Sequence, residues 1–465
     1  MSAIPADVDT DAQPPMTVPL RHFVVALGFL LAGALVGALD AVGVVPGRST
    51  LVHVHLLLAG WVCVTILGAM TQFVPVWSGT TLHSQRLAEL QLWGVTVGLS
   101  GFVVCLLTGA YAWLPGFGFV LLAGFWLFVY NVGRTLLGVR PWDVTERHFA
   151  LALGFLLLVT LLGLALAVSY VRPVFADWPV TRGTVRSAHA TLAVFGVVLT
   201  TIFGALYQLA TMFTQSDLRG IDSPLRTVES VGFPLGVVSL AAGRLAGNPL
   251  VGRIGALLLT AGTVAMAVVL ARRLATRTVE WTPMLRRYAV AAAAMLLWAA
   301  LATPAWIAAP LDPARLFGPP TAAHLLRFGA VGFVVLGTLY HVVPFIIWVH
   351  RYSDRLGFES VPMIDDLYDD RLARADLVAL SVGMGLLVLA ETGVLSSIGP
   401  QAAPSATLVG GAVSLLGFAL FAANLIGVIQ RHGSTSVATL LCPPLGRLGP
   451  SADDDVPDDT ERARS

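Results

Sequence analysis

Twelve apolar runs, each about 20 residues or longer and separated by short clusters of charge, fill most of this chain. An α-helix rises about 1.5 Å per residue, so a run of that length crosses the roughly 30 Å of hydrocarbon in a bilayer. The runs lie at approximately 22–45, 51–76, 88–112, 114–137, 148–171, 186–212, 227–246, 249–271, 286–309, 321–349, 373–396 and 406–429. Membrane strands would instead show about ten residues of alternating polarity per segment. Of the 465 residues 56% are hydrophobic and 12% charged, about half the charge of a soluble domain. The expected fold is all-α, a polytopic membrane protein whose first partner is lipid. A polar, Pro-rich leader over 1–20 lacks a small-residue cleavage site, so the first run is expected to be retained as a span. A membrane domain over 21–430 and a polar, acidic tail over 431–465 complete the division.

The charge excludes one function class and sets an orientation. All 28 basic residues are Arg, set against 27 acids, and that balance leaves no basic excess for phosphates and hence no nucleic-acid partner. With twelve spans, both termini and the even-numbered connections share one side, and that side holds 20 of the 28 Arg, including Arg272, Arg273, Arg277, Arg286 and Arg287. The other eight are Arg48, Arg172, Arg182, Arg186, Arg244, Arg253, Arg315 and Arg327. Positive charge stays on the cytoplasmic side, so both termini are expected there, in a multi-pass protein of the cell membrane. The segments 351–376 and 451–465 carry 13 of the 27 acids and read as solvated surface and tail. Within the spans acids are scarce, with Asp40 and Glu391 near span ends, which argues against a proton pump. Cys63, Cys105 and Cys442 are too scattered for a disulfide framework or a zinc site.

The sequence also repeats itself. Span 2 reads HVHLLLAGWVCVTILGAMTQFVP, span 6 HATLAVFGVVLTTIFGALYQLAT and span 10 HLLRFGAVGFVVLGTLYHVVP. Superposing Gly68, Gly204 and Gly337 gives intervals of 136 and 133 residues, four spans each. Span 1 (RHFVVALGFLL) matches span 5 (RHFALALGFLL) and, more loosely, span 9 (RRYAVAAAAML); span 4 (GFWLFVYN) matches span 12 (GFALFAAN). Three units of four helices, over about 21–137, 147–271 and 286–429, are therefore expected around a pseudo-threefold axis along the membrane normal. His53 and His189 precede their glycines by 15 residues, His55 and His324 by 13. These histidines share one depth near the non-cytoplasmic face, which favours a ligand role over packing. Three and four residues beyond the glycines stand Thr71, Tyr207 and Tyr340, then Gln72, Gln208 and His341, read as interhelical hydrogen-bonding positions.

With these features the chain resembles subunit I of the haem-copper oxidase superfamily, including its nitric oxide reductase branch, over roughly residues 20–430. The family's catalytic subunit has twelve helices in three four-helix units, with metal ligands on helices two, six, seven and ten. Its low-spin haem is held by one histidine from helix two and one from helix ten. Gly337, His341 and Pro344 keep the family's helix-ten G-x-x-x-H-x-x-P stretch, and His324 stands at the low-spin-haem position. The first histidine of the family's H-x-H pair falls on Ala322. In helix two, His53 matches best by its distance to the glycine, with His55 the alternative. Successive helical residues turn by about 100°, so those two point apart and only one serves a given iron. His189 occupies the phase of the helix-six copper ligand, a vestigial position, because the Pro-Glu-x-Tyr that usually follows it is Ala-Thr-Leu-Ala here. The helix-seven stretch TVESVGFPLGVVSLAAG has no His, and a copper centre built of imidazoles needs several. Copper is not expected.

The resemblance implies an oxidoreductase-like membrane protein, bound to one low-spin b-type haem, for electron transfer and without an oxygen-reducing binuclear centre; no catalytic residue is assigned. It also implies an electron-donor protein or a quinol, and a second subunit. The alternatives are a haem-free membrane scaffold or transporter on the same fold, and a nitric-oxide-related haem protein.

Overall fold

The computed structural model describes residues 14–441. Residues 1–13 of the leader and 442–465 of the tail, with Cys442 and the tail acids, lie outside the described residues. Twelve helices are long and apolar enough to cross a membrane: α1 (Thr17–Asp40), α2 (Ser49–Trp77), α3 (Gln85–Thr108), α4 (Tyr111–Leu137), α5 (Val144–Val168), α6 (Arg182–Thr214), α7 (Asp222–Ala246), α8 (Pro249–Ala275), α9 (Pro283–Ala308), α10 (Pro313–Arg351), α11 (Asp370–Ala390) and α12 (Ala402–His432). No strand occurs among the described residues, only isolated bridges. The chain is an all-helical, multi-pass membrane protein. Each expected run coincides with one helix, although several ends differ by a few residues. Helix α1 begins inside the expected leader, at Thr17, because Val18 and Leu20 are buried there. The start of the expected tail is docked, since Arg21 Nε donates to the Leu440 carbonyl at 2.8 Å.

Local signals set the ends. Asp143 and Glu146 form a reciprocal capping box at the start of α5, each side chain accepting from the other's backbone N–H at 2.9 Å. Thr181 and Thr184 do the same for α6. Gly109 and Gly247 stop α3 and α7 at φ of 75° and 67°, a left-handed conformation that a residue without Cβ adopts freely.

Helix α1 packs along α2, α5 along α6 and α9 along α10, while α3–α4, α7–α8 and α11–α12 form tight antiparallel pairs. Contacts at α4–α5, α8–α9 and α12–α1 close the ring. Helices α6 and α10 are the most enclosed, with 83% of their apolar windows buried. The inner helices meet through rings, Phe73 over Phe345 between α2 and α10 at 6.5 Å and Phe213 against His341 between α6 and α10 at 4.0 Å.

Two details recur at one phase of α2, α6 and α10. Each contains an eight-residue π segment, Leu56–Cys63, Leu192–Leu199 and Leu325–Gly332, starting twelve residues before Gly68, Gly204 and Gly337 respectively. Each of those glycines lies against a neighbouring helix. A Cβ there would stand 2.6 Å from His22 Cβ, 2.6 Å from His148 Cβ and 3.1 Å from Arg287 Cβ. The close approach leaves no room for a larger residue.

Candidate functional site

The four candidate histidines lie in the short α-helical stretches that lead into the π segments. His53 and His55 belong to Ser49–His55, His189 to Arg182–Thr191 and His324 to Pro320–His324. The His53 ring lies against α1, where its Nδ1 is 2.8 Å from the Gly33 carbonyl. The His189 ring lies against α5 in the same way, its Nδ1 2.9 Å from the Val159 carbonyl. Gly33 follows His22 by the eleven residues that separate Val159 from His148, so the two contacts are equivalent. A Cβ at Gly37 would come within 2.5 Å of the His53 ring, and one at Gly163 within 3.0 Å of His189. His55 turns back on its own helix, Nδ1 2.8 Å from the Leu51 carbonyl, and packs on Phe102.

An imidazole that donates Nδ1–H to a carbonyl presents the lone pair of Nε2, the tautomer that binds iron. His53 lies within electrostatic reach of His324, and Arg327 within reach of both. His55 lies within reach of His189 instead. The structure thus brings the four into two pairs, one across α2 and α10 and one across α2 and α6. Imidazoles from two helices, that of His53 oriented by the Gly33 carbonyl, are the donor chemistry that would hold a haem iron. Among the described residues, no group of three or more His, Cys, Asp or Glu side chains converges as a metal cluster.

Three buried polar groups went unrecognised in the sequence. Gln91, Glu229 and Asp376 are each fully buried, and they follow Ser84 (the N-cap of α3), Asp222 (the first residue of α7) and Asp369 (the N-cap of α11) by seven positions. Glu229 accepts from Tyr207 Oη at 2.8 Å and meets His148 Nε2 at 3.0 Å, while His148 Nδ1 donates to the Val144 carbonyl at 2.7 Å. With Nδ1–H committed, the proton between Nε2 and Glu229 makes the pair either ionic or neutral. Asp376 pairs with Arg287 and accepts from Tyr340 Oη. Arg287 also donates to the Pro283 and Ala373 carbonyls, both at 2.8 Å, and Asn424 donates to Tyr340 Oη at 3.1 Å. Gln91 is uncharged. His22 Nδ1 bonds the Val18 carbonyl at 2.8 Å, and His22 Nε2 and both Gln91 amide atoms have no hydrogen-bond partner.

These groups correct two sequence readings. Acids inside the spans include Glu229 and Asp376, so the inventory does not stop at Asp40 and Glu391, and Asp376 does not belong to a solvated face. Tyr207 and Tyr340 make the interhelical hydrogen bonds expected of them, and Gln208 reaches Asp143 Oδ2 at 3.1 Å. Thr71 bonds its own helix at the Gly68 carbonyl, 2.9 Å away, because its short side chain does not span the gap. His341 is sandwiched between the rings of Phe213 and Phe345. The signal that could have found the Glu229 and Asp376 networks was the shared phase of His22, His148 and Arg287 in the RHF, RHF and RRY stretches.

No family model matches this chain, and no curated protein matches it.

Proposed function

We propose that this chain is a divergent relative of haem-copper oxidase subunit I that holds one low-spin b-type haem between α2 and α10, with His53 and His324 as the residues that would hold its iron. The observation that carries the reading is the α2–α10 histidine pair. The His53 ring is fixed by the Gly33 carbonyl at 2.8 Å and lies within electrostatic reach of His324. This pairing favours His53 over His55, whose neighbour is His189.

The same proposal includes three four-helix units around a pseudo-threefold axis, supported by the matched π segments and the ring of contacts α4–α5, α8–α9 and α12–α1. It also places the chain in the cell membrane with both termini cytoplasmic, supported by the arginine asymmetry. A haem held by these two imidazoles would supply electron transfer. The chain's own contribution is orientation. The Gly33 carbonyl sets the tautomer of His53, and the absence of a side chain at Gly37 gives its ring room. An electron-donor protein or a quinol would supply the electrons, and a second subunit would complete the assembly.

The test is the reduced-minus-oxidised spectrum and pyridine-haemochrome content of protein made with ample haem. A low-spin b-type spectrum is expected, abolished in His324→Ala and His53→Ala and retained in His55→Ala and His189→Ala. Full haem with an unchanged spectrum in His324→Ala would refute the ligand assignment. Wild-type protein without haem would leave the haem-free scaffold standing.

A further inference from the structure

Four arginines are buried among the described residues: Arg21, Arg244, Arg273 and Arg287. Three of them have a carboxylate partner, Glu89, Asp222 and Asp376 respectively. Arg244, in the last turn of α7 and 2% exposed, has none. Its Nε donates to the Pro310 carbonyl at 3.1 Å, its Nη1 donates to Thr191 Oγ1 at 2.7 Å, and its guanidinium lies 5.3 Å from the centre of the Trp306 ring. Its Nη2 has no hydrogen-bond partner.

These contacts supply hydrogen bonds but no negative charge. Asp312, the acid in the α9–α10 connection that Arg244 touches, pairs with Arg315 at 3.3 Å. A further cation, Arg253, donates to the Ile307 carbonyl at 2.8 Å at the same end of α9. A buried, uncompensated cation is strongly disfavoured inside a membrane protein.

We propose that Arg244 anchors a buried binding site for a single-atom monovalent anion, a halide such as chloride, at the junction of α6, α7 and the α9–α10 connection. The stereochemistry selects the ligand. A carboxylate grips a guanidinium through two adjacent nitrogens, and here Nε and one N–H of Nη1 are already engaged, so the Nε edge is closed to a fork. What remains is one N–H of Nη1 and both N–H bonds of Nη2, and because Nη2 is enclosed by protein they suit an acceptor of one atom. Thr191 Oγ1 donates its hydrogen to the Ser187 carbonyl at 2.7 Å, so it contributes no second donor to the anion. Trp306 lies beside the guanidinium and adds no donor to the anion, since its Nε1–H goes to the Arg315 carbonyl at 2.6 Å.

The experiment is thermal unfolding of the purified full chain in detergent, with chloride or bromide exchanged against methanesulfonate at constant ionic strength. A ligand that binds only the folded state raises Tm saturably. The expected result is a saturable rise of a few degrees with chloride and bromide, retained in Arg253→Met and lost in Arg244→Met. A wild-type Tm independent of halide overturns the proposal, as does an undiminished halide effect in Arg244→Met. Stabilisation by acetate in place of chloride also overturns it, since the ligand would then be a carboxylate. Should Arg244→Met not fold, anomalous diffraction from wild-type crystals grown in bromide decides. A bromide peak within bonding distance of Arg244 Nη2 supports the site, and the absence of one refutes it.

Discussion

Replacing Asp376 by Asn separates charge from shape at the most enclosed ion pair of the molecule. Arg287 and Asp376 are both fully buried, and Asp376 accepts from Arg287 and from Tyr340 Oη. Asparagine keeps the volume and one acceptor oxygen, so Tyr340 can still donate. The guanidinium, however, then faces a neutral amide whose NH₂ repels it. The two backbone carbonyls that Arg287 also uses, at 2.8 Å each, bear no net charge. Removing one partner of a buried pair costs about 3–5 kcal/mol, and that range is the expectation for Asp376→Asn.

The same reasoning demands a rescue. In Arg287→Met/Asp376→Leu/Tyr340→Phe the charges and the orphaned hydroxyl all disappear. Asn424 stays bonded through Nδ2 to the Asp369 carbonyl at 2.8 Å. Replacing a buried pair by apolar side chains of similar volume is often neutral or stabilising, so the triple variant should lie within about 1–2 kcal/mol of wild type. Reversible unfolding in mixed micelles, followed by the buried Trp298, Trp306 and Trp348, measures both. An Asp376→Asn loss under about 1 kcal/mol would refute the argument that charge matters at this site. A triple variant as unstable as the single one would show that packing, rather than charge, set the cost.

Gly204→Ala and Gly154→Ala should move stability in opposite directions in the same assay. A Cβ at Gly204 would lie 2.6 Å from His148 Cβ, whereas one at Gly154 meets nothing within 4 Å. Overpacking costs about 1–3 kcal/mol, while relief of glycine's backbone freedom gains about 0.5–1 kcal/mol. Asp369 caps α11 by accepting from the Arg371 and Leu372 N–H groups at 2.8 and 3.2 Å, and those bonds hold its carboxyl below the usual carboxylate range. Its contribution is therefore present above the unfolded pKa of about 4 and is lost as pH falls through the lower folded value. The stability difference between wild type and Asp369→Ala should be constant near neutrality and vanish in strong acid.

The twelve spans were legible because hydrocarbon imposes a length and an absence of charge that single residues cannot disguise. The equivalent positions of His53 and His189 were legible from their spacing to Gly68 and Gly204. Glu229 and Asp376 were not. Each sits seven residues into its helix, close enough to a charged flank to pass for interface, and only the packed structure shows His148 and Arg287 facing them. Arg287 was misleading for the same reason. It counts as a positive flanking residue in the orientation argument, yet its side chain is turned inward. The π segments had no sequence signal, since Leu56–Cys63 and Leu192–Leu199 are uninterrupted apolar runs without a polar stripe to mark a change of phase, and Arg327 in the third reads as a flanking charge.

Those segments have a consequence for how the inner helices can vary. A π turn holds one residue more than an α turn accommodates, which offsets the angular frame of everything beyond it by about 100°. The histidine end of α2, α6 or α10 and its glycine end therefore answer to separate frames joined by a slack coupling. One end can be rebuilt while the other keeps its fit against α1, α5 or α9. Deleting a single residue from Leu56–Cys63 would turn the π turn into an α turn and leave both ends seated, His53 against Gly33 and Gly68 on His22.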